Sequence, residues 1–219
     1  MTEAEWLRST DPQPMLDWIV GKSSERKLRL FAVACCRELR PDLLNNVCRN
    51  AIDVAERHAD GLASRRERTR AIANTVNVAR EMGFGDEDAR YFPGCADEAH
   101  AAFAVLHALG PRAKLPHAST AARHIWSSGR QLLRIHCQRL RCIIGNPFHA
   151  NPVDPSWITE NVVSVAHAIY DGRAFERMRI LADALEDAGC DNADMLSHLR
   201  NGGEHARGCW VIDALTGRT

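Results

Sequence analysis

The chain has 219 residues, of which 45% are hydrophobic, 26% charged and 6% aromatic, with 14 Gly and 9 Pro, which excludes a disordered tail or a collagen-like repeat. Its longest apolar run, LFAVACC at 30–36, falls far short of the ~20 residues a spanning helix needs, so no membrane partner is expected. Acids and bases balance at 28 each but are segregated: residues 99–153 carry seven bases and no acid, and residues 154–219 carry six bases and 11 acids.

Helix signals run through the chain. Thr2 with Glu5 is a capping-box pattern, and Asp11-Pro12 suits the first turn of a second short helix that ends at Gly21. Ser23 and Ser24 open the run SERKLRLFAVACCREL, which stops before Pro41; a further helix fits 41–58, and Ser64 with Glu67 starts another towards Glu81. MGFGDEDARYFPGC at 82–95 reads as a loop, 96–109 as a helix, and GPRAKLPH at 110–117 as a second break. A long helix is predicted from 119 to 144, ended by Gly145-Asn146-Pro147, and shorter helices over 160–170, 174–188, 192–200 and 208–216. Alternating strand patterns of useful length are absent. The expectation is an all-α fold, a helical bundle or short solenoid-like stack of about nine to ten helices. Its expected regions are 1–145, including the long basic helix, and 146–219 packed on it as one unit.

The expected packing residues are Trp6, Trp18, Leu28, Phe31, Trp126, Trp157, Ile180, Leu181, Leu185 and Trp210, with Phe148 anchoring the loop after the long helix. The first ten residues, MTEAEWLRST, lack a basic segment leading into an apolar run, so a cytoplasmic location is expected, with the eight cysteines reduced and mostly buried.

Several stretches carry a resemblance: EAEWLRSTDPQPML (3–16), RKLRLFAVACCREL (26–39), VAERHADGLAS (54–64), GNPF (145–148), AIYDGRAFERMRILADALEDAGCDNADMLSHLRN (168–201) and HARGCWVIDALTG (205–217). In its Cys-Cys-Arg, Asn-Pro-Phe and Arg-Gly-Cys-Trp elements the chain resembles a large paralogous family of planctomycete-type bacterial proteins without an assigned activity. The resemblance implies a soluble bacterial protein from a multi-copy set and names no reaction.

Three chemistries are weighed on the residues. On the 119–144 helix, Arg123, Arg130, Arg134 and Arg141 fall within about 20° of one line at 100° per residue, opposite an apolar face. Such a stripe suits an acidic protein partner or a phosphate backbone, with Arg112 and Lys114 as auxiliaries, or is simply a solvated face. Cys190, His198, His205 and Cys209 fall within twenty residues and form a Cys/His set of the kind that binds zinc, although the spacing matches no standard finger and Cys-x-x-Cys is absent. Hydrolase and nucleotide-binding motifs are missing, so no catalytic residue, metal ligand or cofactor is assigned. The leading expectation is a non-catalytic interaction or scaffold protein that binds a protein partner or itself. A nucleic-acid-binding subunit and a zinc-binding helical protein are the alternatives.

Overall fold

The computed structural model describes residues 1–39, 41–81, 97–111, 129–149, 152–201 and 203–218, and over these it is all-α, with eleven α-helices and no strand. The helices are α1 (Glu3–Arg8), α2 (Pro12–Ile19), α3 (Glu25–Arg37), α4 (Asn46–Ala59), α5 (Arg65–Glu81), α6 (Asp97–Leu109), α7 (Gly129–Ile144), α8 (Glu160–Gly172), α9 (Met178–Asp187), α10 (Ala193–Arg200) and α11 (Trp210–Thr216). None is long and apolar enough to cross a membrane.

The helices start where the cap chemistry places them. Thr2 accepts from the Glu5 N–H while the Glu5 carboxylate takes the Thr2 N–H, so two otherwise unpaired donors of α1 are satisfied together. Asp11, Ser24, Asn45, Thr159 and Asn192 cap the helices that follow them in the same way. Two expected boundaries shift. Residues 41–43 form a 3-10 turn before α4, because Asn45 supplies the cap there and Pro41 only the preceding bend. The helix expected over 174–188 begins at Met178 after a second 3-10 turn at Phe175–Arg177.

The chain divides into two compact units, Thr10–His136 and Met1–Ser9 with Cys137–Thr219. In the first, α3, α4, α5 and α6 pack on one another around Leu28, Phe31, Ile52 and Leu109. Arg29 is buried within it and donates from Nη1 to the carbonyls of Ala108 and Gly110 at 2.8 and 3.0 Å, closing the C-terminal end of α6. His136, expected on the apolar arc of the long helix, is buried here edge-on to Phe31.

In the second unit α8 packs on α9 and α11, and α9 on α10, around Val162, Ile169, Leu181, Leu185, Leu199 and Ile212. Trp157 and Trp210 lie at the edge of this core, partly buried. Ile180, expected in the core, is 49% exposed. Helix α9 buries Met178, Leu181, Ala182 and Leu185, and at 100° per residue Ile180 falls on the opposite face.

Helix α1 belongs to this second unit through two reciprocal ties. The Trp6 indole, fully buried, donates to the carbonyl of Gly145 at 3.1 Å, and the Arg141 guanidinium donates to the carbonyls of Trp6 and Ser9 at 2.7–3.0 Å. Each satisfies an orphaned carbonyl at a helix C-terminus.

Candidate metal centre

Four side chains of the second unit converge: Cys142, His198, His205 and Cys209 each offer a ligand atom, and these atoms all lie within 4.8 Å of one another. They come from separate elements. Cys142 sits in the last turn of α7, His198 in the last turn of α10, His205 in the segment between α10 and α11, and Cys209 at the N-terminal cap of α11.

Local sequence explains how each is delivered. Gly208, at φ +85°, makes the left-handed turn that brings Cys209 round to begin α11, and the Cys209 N–H donates to the Ala206 carbonyl at 3.1 Å. Gly145, at φ +78°, ends α7 just after Cys142; a Cβ there would meet the Trp210 ring at 3.0 Å, so the indole beside Cys209 packs directly on this glycine. His205 is fixed by its backbone: the buried Arg139 donates to the His205 carbonyl and, at 2.8 Å, to the Glu204 carboxylate. Its ring meets His198 edge-on, centroids 4.9 Å apart, and His198 in turn lies 5.7 Å from Trp210.

Two sulfur-to-nitrogen distances inside the cluster are close to the edge of a metal-centred tetrahedron. His198 Nε2 lies 3.3 Å from Cys209 Sγ, and Cys142 Sγ lies 3.6 Å from His205 Nδ1. Around a zinc ion with Zn–S of about 2.3 Å and Zn–N of about 2.05 Å, a sulfur-to-nitrogen edge of a tetrahedron is about 3.6 Å. Both sulfurs are buried and both imidazoles partly buried.

The electrostatics point the same way. Burial pushes the Cys209 thiol up, but the hydrogen bond from the Cys142 thiol and the neighbouring His198 and His205 rings outweigh it, so Cys209 is held well below the ordinary thiol range. The Cys142 thiol goes the other way, raised first by that same hydrogen bond and then by burial. A divalent cation bound between the two sulfurs would take both as thiolates. The other ring nitrogen of His205, Nε2, is buried without a hydrogen-bond partner.

The donor set selects the ion. Two thiolates disfavour Ca²⁺ and Mg²⁺, which take oxygen ligands, and a tetrahedral S₂N₂ set suits zinc or an iron–sulfur cluster. A two-iron cluster of mixed ligation puts both cysteines on one iron and both histidines on the other. Here both histidines lie against Cys209, His205 also faces Cys142, and all four donor atoms lie within 4.8 Å of one another, an arrangement that suits a single ion. Four protein donors around one ion would fill a tetrahedron, the arrangement of closed, structural sites.

Beside the centre lies a cavity of about 420 Å³ whose wall includes Cys142, His198, His205, Trp6, Arg141 and Trp210. Cys142 borders that cavity together with both histidines, and Cys209 is fully buried.

Three of the four clustered residues belong to the Cys/His set weighed on the sequence, which assigns no metal ligand, and the fourth does not. Cys190 is buried in the apolar core of the second unit after the Gly189 turn, and Cys142 takes its place in the cluster. Cys142 lies 56 residues before His198 inside the apolar pattern RCII, where a buried thiol is the ordinary reading. Arg139, which holds the His205 segment, also carried no signal beyond being a helical arginine.

Of the arginine stripe, Arg123 lies outside the described residues, as do Arg112, Lys114, Trp126 and the start of the expected 119–144 helix; Arg130 lies in α7 with its side chain undescribed. Arg134 is exposed, whereas Arg141 is half-buried on the carbonyls of α1, where burial lowers its pKa. Phe148 is partly buried, its N–H donating to the Asn146 carboxamide oxygen at 3.1 Å. The chain matches no family model, no curated protein and no solved structure.

Proposed function

We propose that the chain is a zinc-binding all-α protein of the bacterial cytoplasm, in which Cys142, His198, His205 and Cys209 hold one structural ion and the metal-braced helices serve a protein partner or a second copy of the chain. The observation that carries this reading is the convergence of two buried cysteines and two histidines from four separate elements to within 4.8 Å. Convergence of that kind has a strong physical cause. Thiol and imidazole groups taken out of water need partners, and a cluster that gives them only one another is stable when a cation sits at its centre.

The ion ties the end of α7 to α10 and α11, elements joined by few residues of regular structure between Arg200 and Trp210. Its role is to replace the apolar packing that the short helices α10, eight residues, and α11, seven residues, are too small to supply alone. A closed coordination shell leaves no position for substrate, which favours a scaffold over an enzyme. The free cysteines that such a site requires fit a reducing compartment.

Metal analysis of protein purified without chelators tests the reading. One zinc per chain is expected, falling to a small fraction in Cys209→Ser and in His198→Ala, and remaining at one in Cys190→Ser. The affinity should fall as pH is lowered, because protons compete for both thiolates and both imidazoles. Protein that neither retains nor takes up zinc, cobalt or another first-row divalent ion would overturn the proposal.

A further inference from the structure

The two cysteines of the cluster differ in access, and that difference assigns them a second chemistry. Cys142 forms part of the cavity wall and Cys209 stands behind it, with their sulfurs within 4.8 Å of each other. A disulfide needs an S–S distance of about 2.05 Å, so closing the bond requires a sulfur displacement of at most a few ångströms. Cys209 is the N-cap preceding a seven-residue helix, after a glycine turn, where such a shift disturbs little regular structure.

We propose that Cys142 and Cys209 form an oxidisable pair, a modification site at which a hydroperoxide converts two metal-bound thiolates into a disulfide and discharges the ion. The proposal rests on the zinc reading for the discharge, and on the thiol geometry alone for the disulfide. In the first step the Cys142 thiolate attacks the terminal peroxide oxygen, the O–O bond breaks, an alkoxide leaves (hydroxide where the oxidant is hydrogen peroxide) and Cys142 becomes a sulfenic acid. In the second the Cys209 thiolate attacks that sulfur and expels hydroxide, forming the S–S bond. The two thiolates lose two electrons in total and the peroxide gains them. Two neutral imidazoles then remain of the four donors, too few to retain zinc against a chelator.

The other cysteines provide the contrast. Cys36, Cys48 and Cys190 are buried and lie outside the wall of the cavity that Cys142 borders.

The experiment treats the full-length protein, purified with its metal, with hydrogen peroxide in the presence of a chromophoric zinc chelator, and maps disulfides by peptide mass spectrometry. One zinc is expected to be released per Cys142–Cys209 disulfide formed, with both changes reversed by a dithiol reductant and added zinc. Cys190→Ser is expected to respond as the wild type, and Cys142→Ser, even if partly unfolded, to yield no disulfide at Cys209. Zinc retained under peroxide, or a disulfide mapped only between other cysteines, would overturn the proposal while leaving the zinc reading intact. Protein that binds no metal sinks the zinc reading separately, and the mapped Cys142–Cys209 bond still decides this one.

Discussion

The two units bury polar groups by different means. In Thr10–His136 the buried Arg29 is answered by protein: its guanidinium meets two carbonyls and the Glu25 carboxylate. In the unit of Met1–Ser9 and Cys137–Thr219, Arg139 and Arg141 are answered likewise, but Cys142, His198, His205 and Cys209 face mainly each other, and His205 Nε2 faces no partner. A buried polar group satisfied by backbone explains itself as architecture. A set of soft donors left to one another calls for a ligand.

The largest effect that sharpens this contrast is metal loss. Chelation, or Cys209→Ser, removes a binding free energy on the order of several kcal/mol from the second unit alone. Hydrogen exchange read by peptide should show protection lost over 193–218 and kept over 25–59. Equal loss in both would mean that the centre does not act locally.

Next is Arg29→Met, which strands the Ala108 and Gly110 carbonyls and should lower stability by about 2–3 kcal/mol in chemical unfolding, leaving one zinc per chain. Loss of metal in this variant would erase the distinction between the units. Gly145→Ala forces a side chain into the left-handed region and against Trp210, with an expected cost of about 1–3 kcal/mol and a weaker hold on zinc in a chelator competition. An unchanged affinity would detach the Gly145–Trp210 contact from the centre. Smallest is Ile180→Ser on the exposed face of α9, expected to stay within about 0.5 kcal/mol of the parent in a denaturant titration. A larger loss would mean that this face is covered.

The helices were legible because their signals are local. Thr2 with Glu5, Asp11 before Pro12, and Ser24 before an apolar periodic run each act within one turn, and the structure shows all three as caps. Periodicity also placed Leu28, Phe31, Leu181 and Leu185 in the cores but misplaced Ile180, since hydrophobicity alone does not say which face of a short helix is turned inward. The centre was three-quarters legible. His198, His205 and Cys209 lie close in sequence, whereas Cys142 reaches them only through the packing of α7, and Cys190, nearer in sequence, is carried away by the turn at Gly189. The attachment of α1 to the C-terminal helices left no sequence trace either. It depends on Arg141 donating to the Trp6 carbonyl across 135 positions of chain and on the Trp6 indole donating to the Gly145 carbonyl across 139.

The most direct test of the central claim is X-ray absorption at the zinc edge on the purified protein. Two sulfurs at about 2.3 Å and two nitrogens at about 2.0–2.1 Å are the expected shell, with one sulfur lost in Cys142→Ser. A shell of oxygen and nitrogen alone, or two sulfurs still present in that variant, would contradict the assignment of Cys142, His198, His205 and Cys209 as the ligands.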